Sequence, residues 1–314
     1  MDEDILGLHH VTAIASDPNR NIAFYTTVLG LKLVKITVNF DDPGSYHFYY
    51  GDEIGRPGSL LTFFLWPDAP RGRRGPGQVT VVKFGIPFGS MPFWADRLRR
   101  YQVIMADSSP LFDEEALIFS DPDALQLELI EVGELRTARD EHSPIPHEYA
   151  ITHIHGVTLL EPELQATDSL LTGTLGFRRM HQEPTGTRYR AGHTLVDLVH
   201  TADKPRGFVS VGTVHHVAWR IADQEQQRDW REQLVGKGLS VTPIIDRRYF
   251  KSIYFREPGG VLFELATDPP GFTIDEEVDE LGTRLVLPPW LESVRNRIEA
   301  RLPRLTVPKF ESAA

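Results

Sequence analysis

Short stretches of alternating apolar and polar residues recur along the chain, and four of them open a similar series of elements. These four begin near Leu8, Val79, His153 and Val214, about 60–75 residues apart. In each series the pattern predicts a strand, an amphipathic helix and two or three further strands that end in an apolar run. Repetition at this spacing indicates four copies of one βαβββ module.

Matching turn signals support the repeat. The helix of module one ends at Leu29-Gly30 and that of module three at Leu175-Gly176, where glycine accepts the left-handed conformation that ends a helix. Modules two and four match best before their last strands, at Asp121-Pro122-Asp123 and Glu257-Pro258-Gly259. Because a helix separates the first strand of each module from the next, parallel and antiparallel pairings should mix.

The bulk composition limits the classes of function. A net charge of −11 offers no basic face to nucleic acid, so we expect no nucleic-acid partner. The chain has no cysteine, which excludes disulfides and thiolate metal sites and leaves histidine and carboxylates as metal ligands. No apolar run approaches the ~18 residues of a membrane span, and the acidic N-terminus lacks the basic start of a signal peptide. We therefore expect a cytoplasmic protein without membrane contact.

Three strands carry the groups with the clearest chemistry. His9-His10-Val11 lies in the first strand of module one, and His215-His216-Val217 repeats the step in the first strand of module four. Glu264 lies alone within the apolar strand that ends module four. A carboxylate buried in an apolar strand is costly unless a positive group or a metal ion meets it.

Strand alternation selects the residues that share a face. The bulky Val217 and Phe263 suit a face packed against helices, so His216 and Glu264 belong to the opposite face, together with His10. We predict that these three residues are metal ligands. Two imidazoles and one carboxylate, with open positions left over, are the usual ligand set of non-haem Fe(II) oxygenases, and Mn(II) accepts the same ligands.

The strand-opening histidine and strand-ending glutamate of this repeat resemble the vicinal oxygen chelate superfamily, which includes glyoxalases, bleomycin resistance proteins and extradiol dioxygenases. Segments Gly7–Thr12, Thr213–Ala218 and Tyr254–Gly260, with the tail Leu287–Glu292, are most similar to the hydroquinone-type ring-cleaving dioxygenases, the group of the chlorohydroquinone and 2,6-dichlorohydroquinone 1,2-dioxygenases and the MhqO-like proteins. The resemblance implies an α+β fold in which four βαβββ modules pair into two cup-shaped mixed sheets.

The predicted organisation has three parts. We expect an N-terminal pair of modules over residues 1–140, a C-terminal pair over 150–270 and a C-terminal extension over 271–314. The stretch Trp290–Leu302 has apolar residues at helical spacing, which predicts an amphipathic helix that packs on the body or on another subunit of a homo-oligomer.

The resemblance also implies that modules one and four form the working cup, because the predicted histidine ligands lie there. Module three has Gly156 at the ligand position and module two has valines at 81 and 82. A cup built from modules two and three should therefore be degenerate, with Glu128 held by a structural partner such as Lys83 or His155.

Further site residues follow from the same comparison and from strand alternation. Tyr254 is expected to hold a phenolic oxygen and pass a proton, and Arg247 to offer positive charge to a phenolate unless it is a surface residue. His9 and His215 either orient the ligand imidazoles and assist proton transfer, or are satisfied surface histidines. Thr12 shares the ligand face and is expected to contact the substrate.

The predicted function is a non-haem Fe(II)-dependent ring-cleaving dioxygenase that opens a hydroquinone-type or related dihydroxybenzene ring with O₂. Two alternatives stay open: a glyoxalase-like metal-dependent isomerase or lyase, and a non-catalytic resistance protein that binds aromatic compounds. The sequence aligns Phe63 with the position where a glyoxalase I-like isomerase carries a fourth protein ligand. With three ligands, positions remain for substrate and O₂, which favours the dioxygenase.

Overall fold

The computed structural model describes residues 5–106, 112, 114–133, 143–201 and 204–308. Module one contains β1 (Gly7–Ala15), α1 (Pro18–Ile22) continued by a π-helical turn (Ala23–Val28), β2 (Lys32–Asn39), β3 (Asp42–Gly51) and β4 (Leu60–Leu65). Module two contains β5 (Gln78–Pro87), α2 (Met91–Arg100), β6 (Met105–Ala106), β7 (Ala116–Ser120) and β8 (Gln126–Val132).

The second half of the chain repeats this order. Module three contains β9 (His153–Glu161), α3 (Gln165–Gly173), β10 (Arg178–Glu183), β11 (Gly186–Ala191) and β12 (Thr194–His200). Module four contains β13 (Val214–Ile221), α4 (Gln224–Gly236), β14 (Ile245–Asp246), β15 (Lys251–Arg256) and β16 (Leu262–Thr267). The C-terminal extension has 3₁₀ turns at Phe272–Ile274, Val278–Glu280 and Glu292–Val294, and helix α5 (Arg295–Glu299).

Two eight-stranded sheets organise these elements, with strand orders β14-β15-β16-β13-β1-β4-β3-β2 and β10-β11-β12-β9-β5-β8-β7-β6. Module one pairs with module four through the antiparallel strands β1 and β13, and module two pairs with module three through β5 and β9. The predicted α+β class with two mixed sheets is confirmed. Each sheet draws on both halves of the chain, and the predicted domain boundaries at residues 140, 150 and 270 stay a prediction.

Local sequence signals start two of the helices. The Asp17 carboxylate accepts a hydrogen bond from the backbone N–H of Arg20 at 2.9 Å, and so caps α1. Asp223 caps α4 in the same way, with the N–H groups of Glu225 and Gln226 at 2.9 and 3.0 Å. These caps satisfy N–H groups that have no partner within the first turn of a helix.

Strand alternation separates the two faces of the sheet built from modules one and four. Val217, Trp219 and Phe263 are completely buried in the large core. The Trp219 ring lies 5.0 Å from the ring of Phe177 and 5.3 Å from that of Phe263. The opposite face carries a second, smaller hydrophobic cluster that includes Ala218. We call this opposite face the first cup, and the corresponding face of the other sheet the second cup.

The C-terminal extension covers the first cup. The Phe272 ring stacks on Tyr249 at 4.8 Å and meets Tyr49 edge-on at 5.0 Å. The fully buried Lys35 of β2 forms an ion pair with Glu276 of the extension. Aromatic packing and a buried ion pair therefore fix this segment over the sheet.

The helix predicted over Trp290–Leu302 is shorter than expected. The structure has a 3₁₀ turn followed by the five-residue α5, and Trp290 is 51% exposed. Ile298 and Leu302 are buried, as the helical spacing predicted. Proline at 303 ends the helical conformation soon after. Within the described ranges, none of the helices has both the length and the apolar character needed to cross a bilayer.

Candidate metal centre

Cross-strand pairing brings the three predicted ligands together on the first cup. His10 pairs with Ala218 across β1 and β13, and Ala218 pairs with Glu264 across β13 and β16. On the neighbouring rung, His216 pairs with Thr12. Since residues two apart on a strand share a face, His10, His216 and Glu264 all project from the same side of three adjacent strands.

The ligand atoms of these residues converge. His10 Nε2 lies 3.3 Å from His216 Nε2 and 3.4 Å from Glu264 Oε2, and His216 Nε2 lies 3.0 Å from Glu264 Oε2. Ligands held ~2.1 Å from one ion at right or tetrahedral angles are separated by about 3.0–3.4 Å. The three residues are 2%, 5% and 0% exposed. Size, donor type and burial therefore fit a divalent metal ion.

The two oxygens of the Glu264 carboxylate have different surroundings. Glu264 Oε1 accepts a short hydrogen bond from the Ser252 hydroxyl. Oε2, the atom that faces the two imidazoles, is buried and has no hydrogen-bond donor. Burial by itself would raise the pKa of Glu264, but His10 and His216 hold it well below its usual range. An ionised, unsatisfied oxygen in the interior is the observation that best fits a bound cation.

Each candidate ligand imidazole forms a hydrogen bond through Nδ1 with the histidine that precedes it in sequence. His9 Nδ1 lies 2.9 Å from His10 Nδ1, and His215 Nδ1 lies 2.8 Å from His216 Nδ1. A histidine that binds a metal ion through Nε2 carries its proton on Nδ1, so as metal ligands His10 and His216 would donate in these two bonds. His9 and His215 thus lie on the Nδ1 side of the ligands, away from Glu264.

Burial keeps the two supporting histidines neutral. It lowers the pKa of His9 to about 3, with His10 acting in the same direction, and it lowers that of His215 to about 3 together with His216. The Phe250 ring, 4.9 Å from His9 and 5.1 Å from His10, supplies part of this apolar surrounding. Neutral imidazoles are the acceptors that the ligand N–H groups require.

Tyr254 and Arg247 reach the same cup. Tyr254 pairs with Glu264 across β15 and β16, and its ring meets His216 edge-on at 5.7 Å. Its hydroxyl oxygen accepts a hydrogen bond from Arg247 Nε at 3.1 Å, while Arg247 also pairs with Asp41 at 2.9 Å. Burial and Glu264 raise the pKa of Tyr254, so the phenol keeps its proton.

Thr12 connects the ligand face to residues that the sequence analysis did not identify. Its Oγ1 lies 2.8 Å from Thr62 Oγ1, which lies 2.9 Å from His47 Nε2. His47 Nδ1 in turn lies 3.0 Å from the Tyr49 hydroxyl. The alternation in Tyr46–Tyr50 could have placed His47 and Tyr49 on one face, but only the sheet register shows which face that is.

The predicted placement of Phe63 at the fourth-ligand position, which is the counterpart of Glu264 in module one, is wrong. Thr12 pairs with Thr62 as Ala218 pairs with Glu264, so Thr62 holds the position related to the candidate ligand. Phe63 points to the core, where its ring lies 4.7 Å from Tyr25. The turn before β16 is one residue longer than the turn before β4, which shifts the sequence alignment by one position. Threonine in place of a fourth ligand still leaves a set of three.

The second cup has a charge cluster where the first has candidate ligands. Lys83 pairs with Glu128 and Gly156 across its neighbouring strands, and Thr158 pairs with Asp197. Lys83 Nζ lies 2.6 Å from Asp197 Oδ2 and 3.5 Å from Glu128 Oε2, which confirms one of the two predicted partners. No group of His and carboxylate ligands meets here among the residues that were placed.

The other predicted partner, His155, contacts a different acid. Its Nε2 lies 3.5 Å from Glu114 Oε1, and Arg188 bridges Glu114 and Asp197. An ammonium and a guanidinium therefore pair with the acids of the second cup. The positions predicted to correspond to the histidine ligands are held there by Val81 and Gly156.

The fold and the candidate site together point to one class of protein. Its features here are the βαβββ repeat in paired sheets and the histidines and glutamate that meet at one centre. The chain belongs to the Glyoxalase/Bleomycin resistance protein/Dioxygenase superfamily, which residues 7–129 and 151–265 match. Maize glyoxalase I (Zea mays) has the same fold, with a TM-score of 0.60 and 16% identity over 83% of this chain and 92% of that one.

Within the superfamily, the chain is similar to particular proteins named as ring-cleaving dioxygenases. It is 45% identical to the provisionally named ring-cleaving dioxygenase MhqE of Bacillus subtilis (strain 168), over 95% of this chain and 99% of the relative. It is 31% identical to the chlorohydroquinone/hydroquinone 1,2-dioxygenase of Sphingobium indicum, over 95% and 96%. A crystal structure of a provisionally named dioxygenase from Bacillus subtilis superposes with a TM-score of 0.94 at 42% identity, over 98% of this chain and 99% of that one.

Proposed function

We propose that the protein is a ring-cleaving dioxygenase that uses Fe(II), held by His10, His216 and Glu264, to open a hydroquinone-type dihydroxybenzene ring with O₂. The observation that carries the proposal is the buried set of two imidazoles and one carboxylate at ligand spacing, with no fourth protein ligand in the related position. Full-length similarity to a chlorohydroquinone/hydroquinone 1,2-dioxygenase supports the reaction class.

The ion would supply Lewis acidity to a phenolic oxygen and an electron path between the ring and O₂. The protein supplies the geometry. Ser252 fixes the Glu264 carboxylate, and His9 and His215 fix the ring planes and tautomers of the two ligand imidazoles. A substrate oxygen then meets a centre whose donors are already oriented.

Tyr254 and Arg247 act on the substrate side. Because the Tyr254 oxygen accepts from Arg247, its own proton is free to point at a substrate oxygen. Arg247 stays charged, since Tyr254 and Asp41 raise its pKa against the effect of burial. We infer that this pair holds a phenolate, and that Tyr254 donates or recovers a proton as the ring opens.

The remaining walls of the cup keep water away. Phe64 lies edge-on to His215 at 5.4 Å, and Phe250 covers His9 and His10. Tyr249 and the Phe272 ring of the C-terminal extension stack on another side of the cup. An apolar enclosure strengthens the electrostatic interactions within it and protects reactive species from hydrolysis. Thr12 follows His10 on the ligand face of β1 and pairs with His216, and we infer that it contacts bound substrate.

Anaerobic Fe(II) loading, iron analysis and oxygen uptake with hydroquinone and catechol test the proposal. We expect about one iron per chain, since a buried three-ligand site binds a single ion, and oxygen consumption that depends on the diol. His10→Ala should lose both, while His200→Ala, at an exposed position, should keep both. Reloading with Mn(II) or Zn(II) shows which metal supports turnover. Turnover without O₂ would indicate an isomerase. A wild-type protein that binds no metal would indicate a non-catalytic binding protein.

A further inference from the structure

Two cross-strand rows of the first cup are related by a pseudo-two-fold axis between β1 and β13. One row consists of Tyr254, Glu264, Ala218 and His10, each paired with the next across adjacent strands. The other row consists, in the same order, of Tyr49, Thr62, Thr12 and His216. A half-turn therefore exchanges the two candidate imidazole ligands, and it exchanges Tyr254 with Tyr49.

The environments of the two tyrosines correspond as well. Ser252, which donates to Glu264, has its counterpart in His47, which contacts Thr62. Tyr254 is bonded to Arg247, and Tyr49 is bonded to His47 Nδ1 at 3.0 Å. Tyr49 is only 2% exposed. Tyr49 pairs with Thr62, and Thr62 pairs with Thr12, so Tyr49 lies on the face that carries the candidate ligands. Burial raises the pKa of Tyr49, and the phenol keeps its proton.

We propose that the Tyr49 hydroxyl is a second substrate contact, which binds the ring oxygen remote from the metal ligands, and that His47 is the residue that positions it. The inference rests on the proposed function and deepens it. A pseudo-two-fold cup with one tyrosine on each side of the histidine pair matches an aromatic ring that carries oxygens at both ends.

The hydrogen-bond chain from Thr12 to Tyr49 gives the Tyr49 hydroxyl either polarity. When His47 carries its proton on Nδ1, it donates to the Tyr49 oxygen, and the tyrosine proton is free for a substrate oxygen. When the proton is on Nε2, His47 donates to Thr62 and Tyr49 donates to Nδ1, so the tyrosine oxygen can accept from a substrate hydroxyl. Tyr49 can thus bind a phenol or a phenolate.

Ligand binding without turnover tests this assignment. The protein is loaded anaerobically with Zn(II), which accepts the same N and O donors, and calorimetry compares hydroquinone, with two oxygens, and phenol, with one. Tyr49→Phe should weaken hydroquinone binding about tenfold and leave phenol binding unchanged, since only the diol loses a hydrogen bond. His47→Asn should weaken hydroquinone binding about threefold by releasing the tyrosine.

Tyr50→Phe is the matched control, because it removes a hydroxyl from the opposite face of the same strand, where Tyr50 donates to Asn21 at 2.8 Å. It should leave the ratio of the two affinities unchanged. Equal loss of both ligands in Tyr49→Phe, or loss of neither, overturns the assignment; His47→Asn decides the matter if Tyr49→Phe does not fold. Oxygen uptake is measured separately. If the wild-type protein consumes no oxygen, the proposed reaction is wrong, but a selective loss of hydroquinone binding in Tyr49→Phe would still support the proposed contact by Tyr49.

Discussion

Lys83 Nζ lies 2.6 Å from Asp197 Oδ2 at the centre of the second cup. This position corresponds to the one that the candidate metal ligands hold in the first cup. Lys83 is 3% exposed and Asp197 is completely buried. The Lys83 ammonium offsets negative charge on the buried acids, as a metal ion would between carboxylate ligands. One sheet therefore presents a candidate metal site, while in the other the acids pair with basic side chains of the chain itself.

Lys83→Met should reduce the free energy of unfolding by about 3 kcal/mol, because it leaves buried carboxylates without their partner. Lys204→Met, at an exposed position, should change it by less than about 0.5 kcal/mol. Urea denaturation of both variants checks the difference. Iron content of the folded Lys83 variant should equal that of wild type, and a loss below about 1 kcal/mol would mean that the cluster behaves like exposed ion pairs.

Stability should fall with rising pH because of Glu161. Both its carboxyl oxygens are buried, and burial together with the neighbouring Glu257 raises its pKa to about 9. The folded protein therefore keeps a proton that the unfolded chain releases above about pH 4.3, and the free energy of unfolding decreases from there to about pH 9. Glu161→Gln mimics the neutral acid and should raise stability at pH 8 by about 2 kcal/mol, with little change at pH 5.

Denaturation midpoints between pH 5 and pH 9 measure this slope. Glu163→Gln, two residues away and exposed, controls for the loss of one acidic group. If Glu161→Gln kept the wild-type pH dependence, the carboxyl group would not be the source of the slope.

Ser252 should contribute to metal affinity without touching the metal. Its hydroxyl holds Glu264 Oε1, which turns Oε2 towards the imidazoles. Ser252→Ala should weaken Fe(II) binding about tenfold, as is typical for residues that orient ligands. Competition with a chelator under anaerobic conditions measures the change, and Ser169→Ala, on the exposed face of α3, should show none. Unchanged affinity in Ser252→Ala would refute the orienting role.

Thr62 marks the related position of the missing fourth ligand. Thr62→Glu should add a carboxylate to the set, retain the metal and reduce oxygen uptake at least about 100-fold by occupying a position that substrate or O₂ needs. Thr62→Gln has the same size but is a poor ligand, so it reports the effect of bulk and of the lost bond to His47. Equal oxygen uptake by the two variants would argue against the equivalence of Thr62 and Glu264.

The sequence was sufficient where one strand decides the outcome. Period-two alternation placed His10, His216 and Glu264 on one face, and the repeat predicted the mixed sheets. It was insufficient where register between strands decides. Because the turns before β4 and β16 differ by one residue, the sequence alignment placed Phe63 where the structure has Thr62. The sequence around His47 also carries no signal that it contacts Thr62. The metal assignment itself stays a prediction.

His10 and His216 are separated by 206 residues, and Glu264 lies further still towards the C-terminus. During synthesis His10 leaves the ribosome long before its partners exist, so the nascent chain cannot sequester iron through the complete set. An ion that binds all three residues could be taken up only after β13 has closed against β1. Separation of module one from module four would leave neither part with all three candidate ligands, because His10 lies in β1 while His216 and Glu264 lie in β13 and β16.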